Sequence, residues 1–155
     1  MTELFTAADV SFRRAEAADL PGILQLLVAD QIGAARDGGE LAPYQRAFEV
    51  IDADPAQLLV AGVQGEEVLA TFQLSFIPGL ARRGSLRAQI EAVRVAESLR
   101  GSGVGSQMIR WAIAEARQRG CSLVQLTTDK RRQDALRFYQ RLGFEASHQG
   151  MKLFL

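Results

Sequence analysis

Cysteine and histidine each occur once, as Cys121 and His148, which excludes an intrachain disulfide and any metal site built from several of either residue. No metal is expected, and a lone cysteine fits a reducing compartment, so the protein is expected in the cytoplasm. Excess charge is also missing: 18 basic residues balance 18 acidic ones, which removes the global electrostatic case for binding nucleic acid or an anionic membrane. No run approaches the roughly 20 apolar residues that a membrane-spanning helix needs. The first ten residues carry Glu3 and Asp9 and lack the basic start of a secretory leader. Repeats, linkers and low-complexity segments are absent. What remains is a chain of 155 residues, 48% hydrophobic, expected to form one globular domain over residues 1–155.

The pattern of apolar residues predicts a mixed α/β chain. Residues 11–15 read as a first strand. Asp19 reads as an N-cap, followed at helical spacing by Leu20, Ile23, Leu24, Leu27, Val28 and Ile32. Gly38-Gly39 breaks that period, and a second helix around Tyr44, Ala47, Phe48 and Ile51 ends before Pro55. The period then changes to two. Leu58–Val63 and Val68–Ile77 flank Gln64-Gly65-Glu66 as a hairpin with one buried side, and Leu86–Val95 is a further strand. Its apolar positions are even up to Ala92 but odd at Val93 and Val95. One strand cannot bury both sets on one side, so either a β-bulge lies near Ala92-Val93 or the strand end is buried on both faces. Val104–Arg119 follows as a helix with Met108, Ile109, Trp111, Ala112, Ile113 and Ala116 inward, ended by Gly120. Ser122–Thr128 is a strand, Gln133–Leu142 a helix with Gly143 and Phe144 as its ending, and Met151–Leu155 a short closing strand.

The segment Arg100-Gly101-Ser102-Gly103-Val104-Gly105 carries the chemistry. Its glycines let a ligand approach the main chain closely, and the helix behind it adds unpaired N–H groups and the positive end of its dipole. Such a place suits a phosphate or diphosphate. A P-loop is excluded because no lysine follows the glycines. A dinucleotide fingerprint is the nearer rival, with Ser106 where its third glycine belongs and Asp129 as the ribose acid. Too few residues follow Asp129 to finish a doubly wound sheet, however, and a hairpin precedes the loop. A glycine loop with no ligand is the remaining alternative.

Two motifs in order, Arg100–Gly105 and Phe138-Tyr139 with Leu142-Gly143-Phe144, resemble the GNAT superfamily of N-acetyltransferases over nearly the whole chain. The resemblance implies an α/β fold with a mixed central sheet whose central strands splay apart. It implies acetyl-CoA as cosubstrate, with its diphosphate on Arg100, Gly101, Ser102, Gly103, Val104, Gly105 and Ser106. The bulged strand at Val93, Arg94 and Val95 would then bond the pantetheine arm, and Phe138 would lie against the cofactor. Where many members carry an asparagine, this chain has Arg132, so Lys130-Arg131-Arg132 either meets the CoA phosphates or is a solvated face. Homodimers are common in the family. Residues 125–139 with Ser147-His148 are also similar to aminoalkylphosphonate N-acetyltransferases, which implies a small amine carrying an anionic group that Arg82, Arg83 or Arg87 could pair with.

Acetyl transfer to an amine makes three demands. A primary amine of pKa near 10.4 must lose a proton, at a cost of about 4–5 kcal/mol at pH 7. Glu91, on the polar side of its strand, is the candidate base; the alternative is a solvated strand glutamate. The thioester oxygen needs a fixed donor, which the Val93 or Val95 N–H supplies. The departing thiolate needs a proton, for which the resemblance points to Tyr139; the alternative is that Tyr139 only packs the helix end. Cys121 reads as core rather than nucleophile, and His148 lines the acceptor pocket or sits on the surface. The function expected is N-acetyl transfer to a small-molecule amine by direct attack in a ternary complex. A non-catalytic acyl-CoA-binding module on the same fold is the alternative.

Overall fold

The computed structural model describes residues 1–155. Its larger compact unit, residues 1–125, is organised by an antiparallel meander. Strands β1 (Glu3–Ala7), β2 (Val10–Arg14), β3 (Gln57–Gln64), β4 (Glu67–Pro78) and β5 (Leu86–Val95) each pair with the next, and β6 (Cys121–Leu126) ends the sheet beside β5. Helices α1 (Leu20–Leu27), α2 (Gln31–Arg36) and α3 (Ala42–Ala53) lie between β2 and β3 in sequence. A four-residue turn, α4 (Ala81–Gly84), joins β4 to β5, and α5 (Val104–Gln118) joins β5 to β6. This is the mixed α/β sheet flanked by helices that the apolar pattern and the resemblance imply. β4 and β5 pair along most of their length, whereas β5 and β6 touch far less, so the sheet opens at this point.

Both faces of the β3–β4 hairpin are covered, which corrects the expectation of one buried side. On one face Val60, Phe72, Leu74 and Phe76 are buried, as are Met108, Ile109, Ala112 and Ala116 on the inner side of α5. Trp111 of α5 stands edge-on to Phe72 at 6.1 Å and stacks on Phe5 at 5.1 Å. On the other face Ala15, Ile23 and Ala61 cluster with Leu27, Phe48, Leu59, Val63 and Val68 beneath α1 and α3. Burial of each large side chain contributes about 1.5–3 kcal/mol, so this double cover is where most of the unit's stability resides.

Other parts of the first unit also differ from the sequence reading. β1 was not foreseen: it pairs with β2 through a two-residue turn in which Ala8 and Asp9 both have positive φ, 47° and 62°. That turn ordinarily carries Asn-Gly or Asp-Gly, so Ala-Asp gives little signal. Asp19 stands at the N-cap position of α1, as read, but makes no side-chain capping bond there. It is itself helical and buried, and its carboxylate accepts the Glu16 N–H at 2.7 Å and two bonds from Arg13 at 2.6 and 2.9 Å. The single long helix is two: Asp30 caps a new start by accepting the Gly33 N–H at 2.6 Å.

Residues 126–155 form a second compact unit around α6 (Gln133–Arg141). Its ending is as expected. Gly143 has φ of 96°, the Phe144 N–H bonds the Tyr139 carbonyl at 3.1 Å, and the Gly143 N–H bonds the Gln140 carbonyl at 3.0 Å. Met151–Leu155 is not a strand. A strand exists through ladder bonds to a neighbour, and these residues make none; Met151 and Phe154 are about nine-tenths exposed. No helix in the chain is long and apolar enough to cross a membrane.

Candidate active site

The bulge inferred from apolar phase is present. Glu91 lies opposite Gln73 and Arg94 opposite Thr71, so Ala92 and Val93 together face the single residue Phe72. Ala92 takes up the extra length with a φ of 51°. Downstream of it, Val93 and Val95 are half-buried, and Val95 is in register with Ala70. Glu91 is exposed at the last position before the bulge, and the Arg94 guanidinium donates to the Val93 carbonyl at 2.9 Å.

The glycine loop follows directly. A one-turn helix, Glu97–Leu99, turns the chain, and the Leu99 carbonyl accepts the Ser102 N–H at 3.1 Å and the Ser102 hydroxyl as well. Gly101 and Gly103 have φ of 78° and 83°, and Gly103 is the N-cap of α5. A Cβ placed on either glycine would meet no protein atom within 4 Å. Gly101, Ser102 and Gly103 are all exposed, so the main chain lies open to a ligand with no side chain standing over it at the two glycines. Val104, Gly105 and Ser106 form the first turn of α5, where N–H groups have no partner within the helix. These residues fit a diphosphate. Arg100 is exposed at the start of the loop.

Beside the bulge, polar side chains that the sequence reading passed over form a band across the sheet. Gln57 of β3 accepts at Oε1 from Gln73 Nε2 at 3.0 Å and from Ser75 Oγ at 2.7 Å, both on β4. On β5, Gln89 Nε2 donates to Glu91 Oε1 at 2.8 Å, and Gln125 Nε2 of β6 donates to Gln89 Oε1 at 2.9 Å. Odd numbering on β3, β4 and β5 was the available signal, but only strand register brings the four strands' residues together.

In the second unit, Tyr139 and Phe138 lie on α6. Tyr139 packs edge-on against Phe138 at 5.0 Å and Phe144 at 5.7 Å, so the packing role is realised whatever else its hydroxyl does. Arg132 is the N-cap of α6, and its N–H bonds the Asp129 carbonyl. Of the basic run, Arg131 is committed: it clasps Asp129 through two side-chain bonds of 2.9 and 2.7 Å, which hold that carboxyl well below the usual range. Asp129 is thus engaged by its own neighbour, and the antiparallel meander independently rules out the dinucleotide-binding sheet. His148 is exposed and shares a 2.7 Å hydrogen bond with Ser147. Cys121 is half-buried, and burial pushes its thiol up against the smaller opposing pull of Arg119, which suits a protonated, unreactive thiol. Arg82 and Arg83 are exposed with φ of 56° and 62°, and the buried Nε of Arg87 has no hydrogen-bond partner.

Comparison with known proteins places this geometry in a family. A family model described as "Acetyltransferase (GNAT) family" matches residues 21–144. The chain is 45% identical over 60 residues to aminoalkylphosphonate N-acetyltransferase of Salmonella typhimurium, covering 39% of each chain. Across the curated relatives, the matched part spans between 15% and 58% of the relative's own length. A solved structure from Bacillus halodurans, described as a transcriptional regulator, superposes with a TM-score of 0.90 at 45% identity, covering 94% of this chain and 99% of that one. A putative acetyltransferase from Agrobacterium tumefaciens superposes with a TM-score of 0.82 at 28% identity, covering 94% and 99%. With the glycine loop, the bulged strand and the matched length in agreement, the chain belongs to the GNAT acetyltransferase family.

Proposed function

We propose that this chain is a cytoplasmic, acetyl-CoA-dependent N-acetyltransferase that modifies the primary amine of a small molecule, with residues 1–155 acting as one domain. The observation that carries the reading is the pair of left-handed glycines, Gly101 and Gly103, whose main chain opens on free space at the N-terminus of α5. Main-chain donors along Gly101–Ser106 other than the Ser102 N–H, which the Leu99 carbonyl takes, would hold the diphosphate beside Arg100. Val93, Arg94 and Val95 would hold the pantetheine arm, and Arg132 and Phe138 are proposed as further cofactor contacts. Acetyl-CoA supplies an acetyl group activated as a thioester, passed directly to the amine in a ternary complex. Glu91 receives the proton the amine must lose, directly or through water. A main-chain N–H at Val93 or Val95 holds the charge that develops on oxygen. Tyr139 is proposed to protonate the leaving thiolate.

The acceptor we propose is a small amine bearing an anionic group, the class named for the Salmonella relative. Arg87 is the candidate partner for that group, because its buried Nε is a donor without an acceptor. Thermal shift gives the first test: acetyl-CoA should raise the melting temperature more than NAD or ATP does. A panel of amines that includes aminoalkylphosphonates, followed by release of free CoA, then identifies the acceptor. No shift at saturating acetyl-CoA would overturn the assignment.

The transcriptional-regulator description of the Bacillus halodurans structure favours a second reading, a non-catalytic acyl-CoA-binding module. That reading expects the same thermal shift with no CoA release from any amine.

A further inference from the structure

Resting on the reading of Glu91 as base, we propose that Gln89 and Gln125 are positioning residues that hold the Glu91 carboxylate from one side and leave its other oxygen to the acceptor. Glu91 is exposed, and a glutamate on a strand surface has three side-chain torsions to fix before it can meet an amine reproducibly. Gln89 lies two residues earlier on the same strand face and donates to Oε1 at 2.8 Å. Such an i, i+2 bond alone would be a weak restraint, since both partners are flexible. Gln89 is itself held from another strand, by Gln125 at 2.9 Å, across 36 residues of sequence. Both amides are half-buried, which limits their alternatives.

The polarity of this chain of bonds follows from chemistry. An ionised carboxylate only accepts, so Gln89 must turn its NH2 toward Glu91 and therefore its carbonyl oxygen toward Gln125. Gln125 must then present NH2. Orientation thus propagates from the carboxylate across both amides. Gln73, directly opposite Glu91, directs its NH2 to Gln57 at 3.0 Å and not to the carboxylate. Oε1 is thus engaged by Gln89, and Oε2 is the oxygen available to an amine or a bridging water.

The test needs no acceptor at first. In the whole protein labelled with ¹⁵N, the side-chain NH2 signals of Gln89 and Gln125 should both move in the Glu91→Gln variant, while those of Gln57 and Gln73 stay in place. Unmoved Gln89 and Gln125 signals would overturn the proposal. Kinetics then use an aminoalkylphosphonate or the best amine of the screen. Gln89→Met should lower kcat about five-fold with KM for acetyl-CoA unchanged. Gln125→Glu should harm more than Gln125→Met, because an acceptor there forces the Gln89 carbonyl toward Glu91. In a Glu91→Gln background Gln89→Met should cost nothing further; an equal loss there would make Gln89 merely structural and sink the proposal. Wild-type rates in Gln89→Met with an impaired Glu91→Gln reject the positioning pair and keep the base. Wild-type rates in Glu91→Gln reject the base itself. Should Gln89→Met fail to fold, the comparison of Gln125→Glu with Gln125→Met carries the same decision.

Discussion

Replacing Gly103 by alanine separates two quantities that a glycine-loop mutation usually confounds. At φ of 83° an alanine is strained by about 1 kcal/mol relative to glycine. No steric term adds to that in the free protein, because the new Cβ meets nothing within 4 Å. In a chain of this size the melting temperature should therefore fall by about 2–4 °C. The backbone strain is present with and without ligand, so it cancels from the binding equilibrium. Any loss of acetyl-CoA affinity then reports the methyl group standing where the diphosphate meets main-chain N–H groups. Losing one charge-assisted hydrogen bond at about 1.5–3 kcal/mol corresponds to roughly 10- to 100-fold weaker binding. Calorimetric titration with acetyl-CoA, beside thermal melts of the free protein, measures both numbers on the same sample. Gly101→Ala, at φ of 78°, should behave alike. A lowered melting temperature with unchanged affinity would refute the reasoning, since the ligand would then not approach this main chain.

The buried Arg13–Asp19 pair gives a stability prediction. Burial disfavours the Asp19 charge, but the Arg13 hydrogen bonds and the Glu16 N–H outweigh it and leave the carboxyl below its usual value. Its contribution is therefore present above the unfolded-state value near pH 4 and lost as pH falls through the lower folded value. Asp19→Asn should cost about 1–3 kcal/mol at pH 7 by removing the charge that faces Arg13, and denaturant melts should show that difference narrowing in acid. At the bulge, Ala92→Val should destabilise by about 1–2 kcal/mol and Ala92→Gly should not, since φ of 51° suits glycine and repels a β-branched side chain; thermal melts of the two variants check this. Tyr139→Phe keeps the ring against Phe138 and Phe144, so the protein should still fold cooperatively while steady-state kcat falls at least ten-fold; an unchanged kcat would leave Tyr139 a packing residue.

What the sequence discloses about this fold follows the range of the interactions involved. The bulge was legible because it breaks a period of two within one strand, so Ile90, Val93 and Val95 reveal it without knowledge of any neighbour. The glycine loop was legible because positive φ at Gly101 and Gly103 is a local demand that few residues meet. The β1–β2 turn was hidden because Ala8 and Asp9 adopt that geometry without its usual residues. Asp19 has the right identity for a helix cap, but a tertiary partner, Arg13, took its carboxylate. Met151–Leu155 is apolar at four of its five positions, which suits a strand, yet composition provides no ladder partner. The amide band of Gln57, Gln73, Gln89 and Gln125 left only a shared odd phase in the sequence, since strand register alone decides which glutamines meet.

The ladder on either side of the bulge carries a consequence for the fold. Excising Ala92 would leave Gln73 facing Glu91 and Thr71 facing Arg94, and would bring Val93 squarely opposite Phe72. The hydrophobic interior would lose no neighbour by that excision. One surplus alanine, held in a conformation that glycine adopts more cheaply, is thus superfluous to pairing. Its effect is on shape: a bulge bends its strand and raises the local twist, and a chain without it would keep its interior while losing that bend in β5.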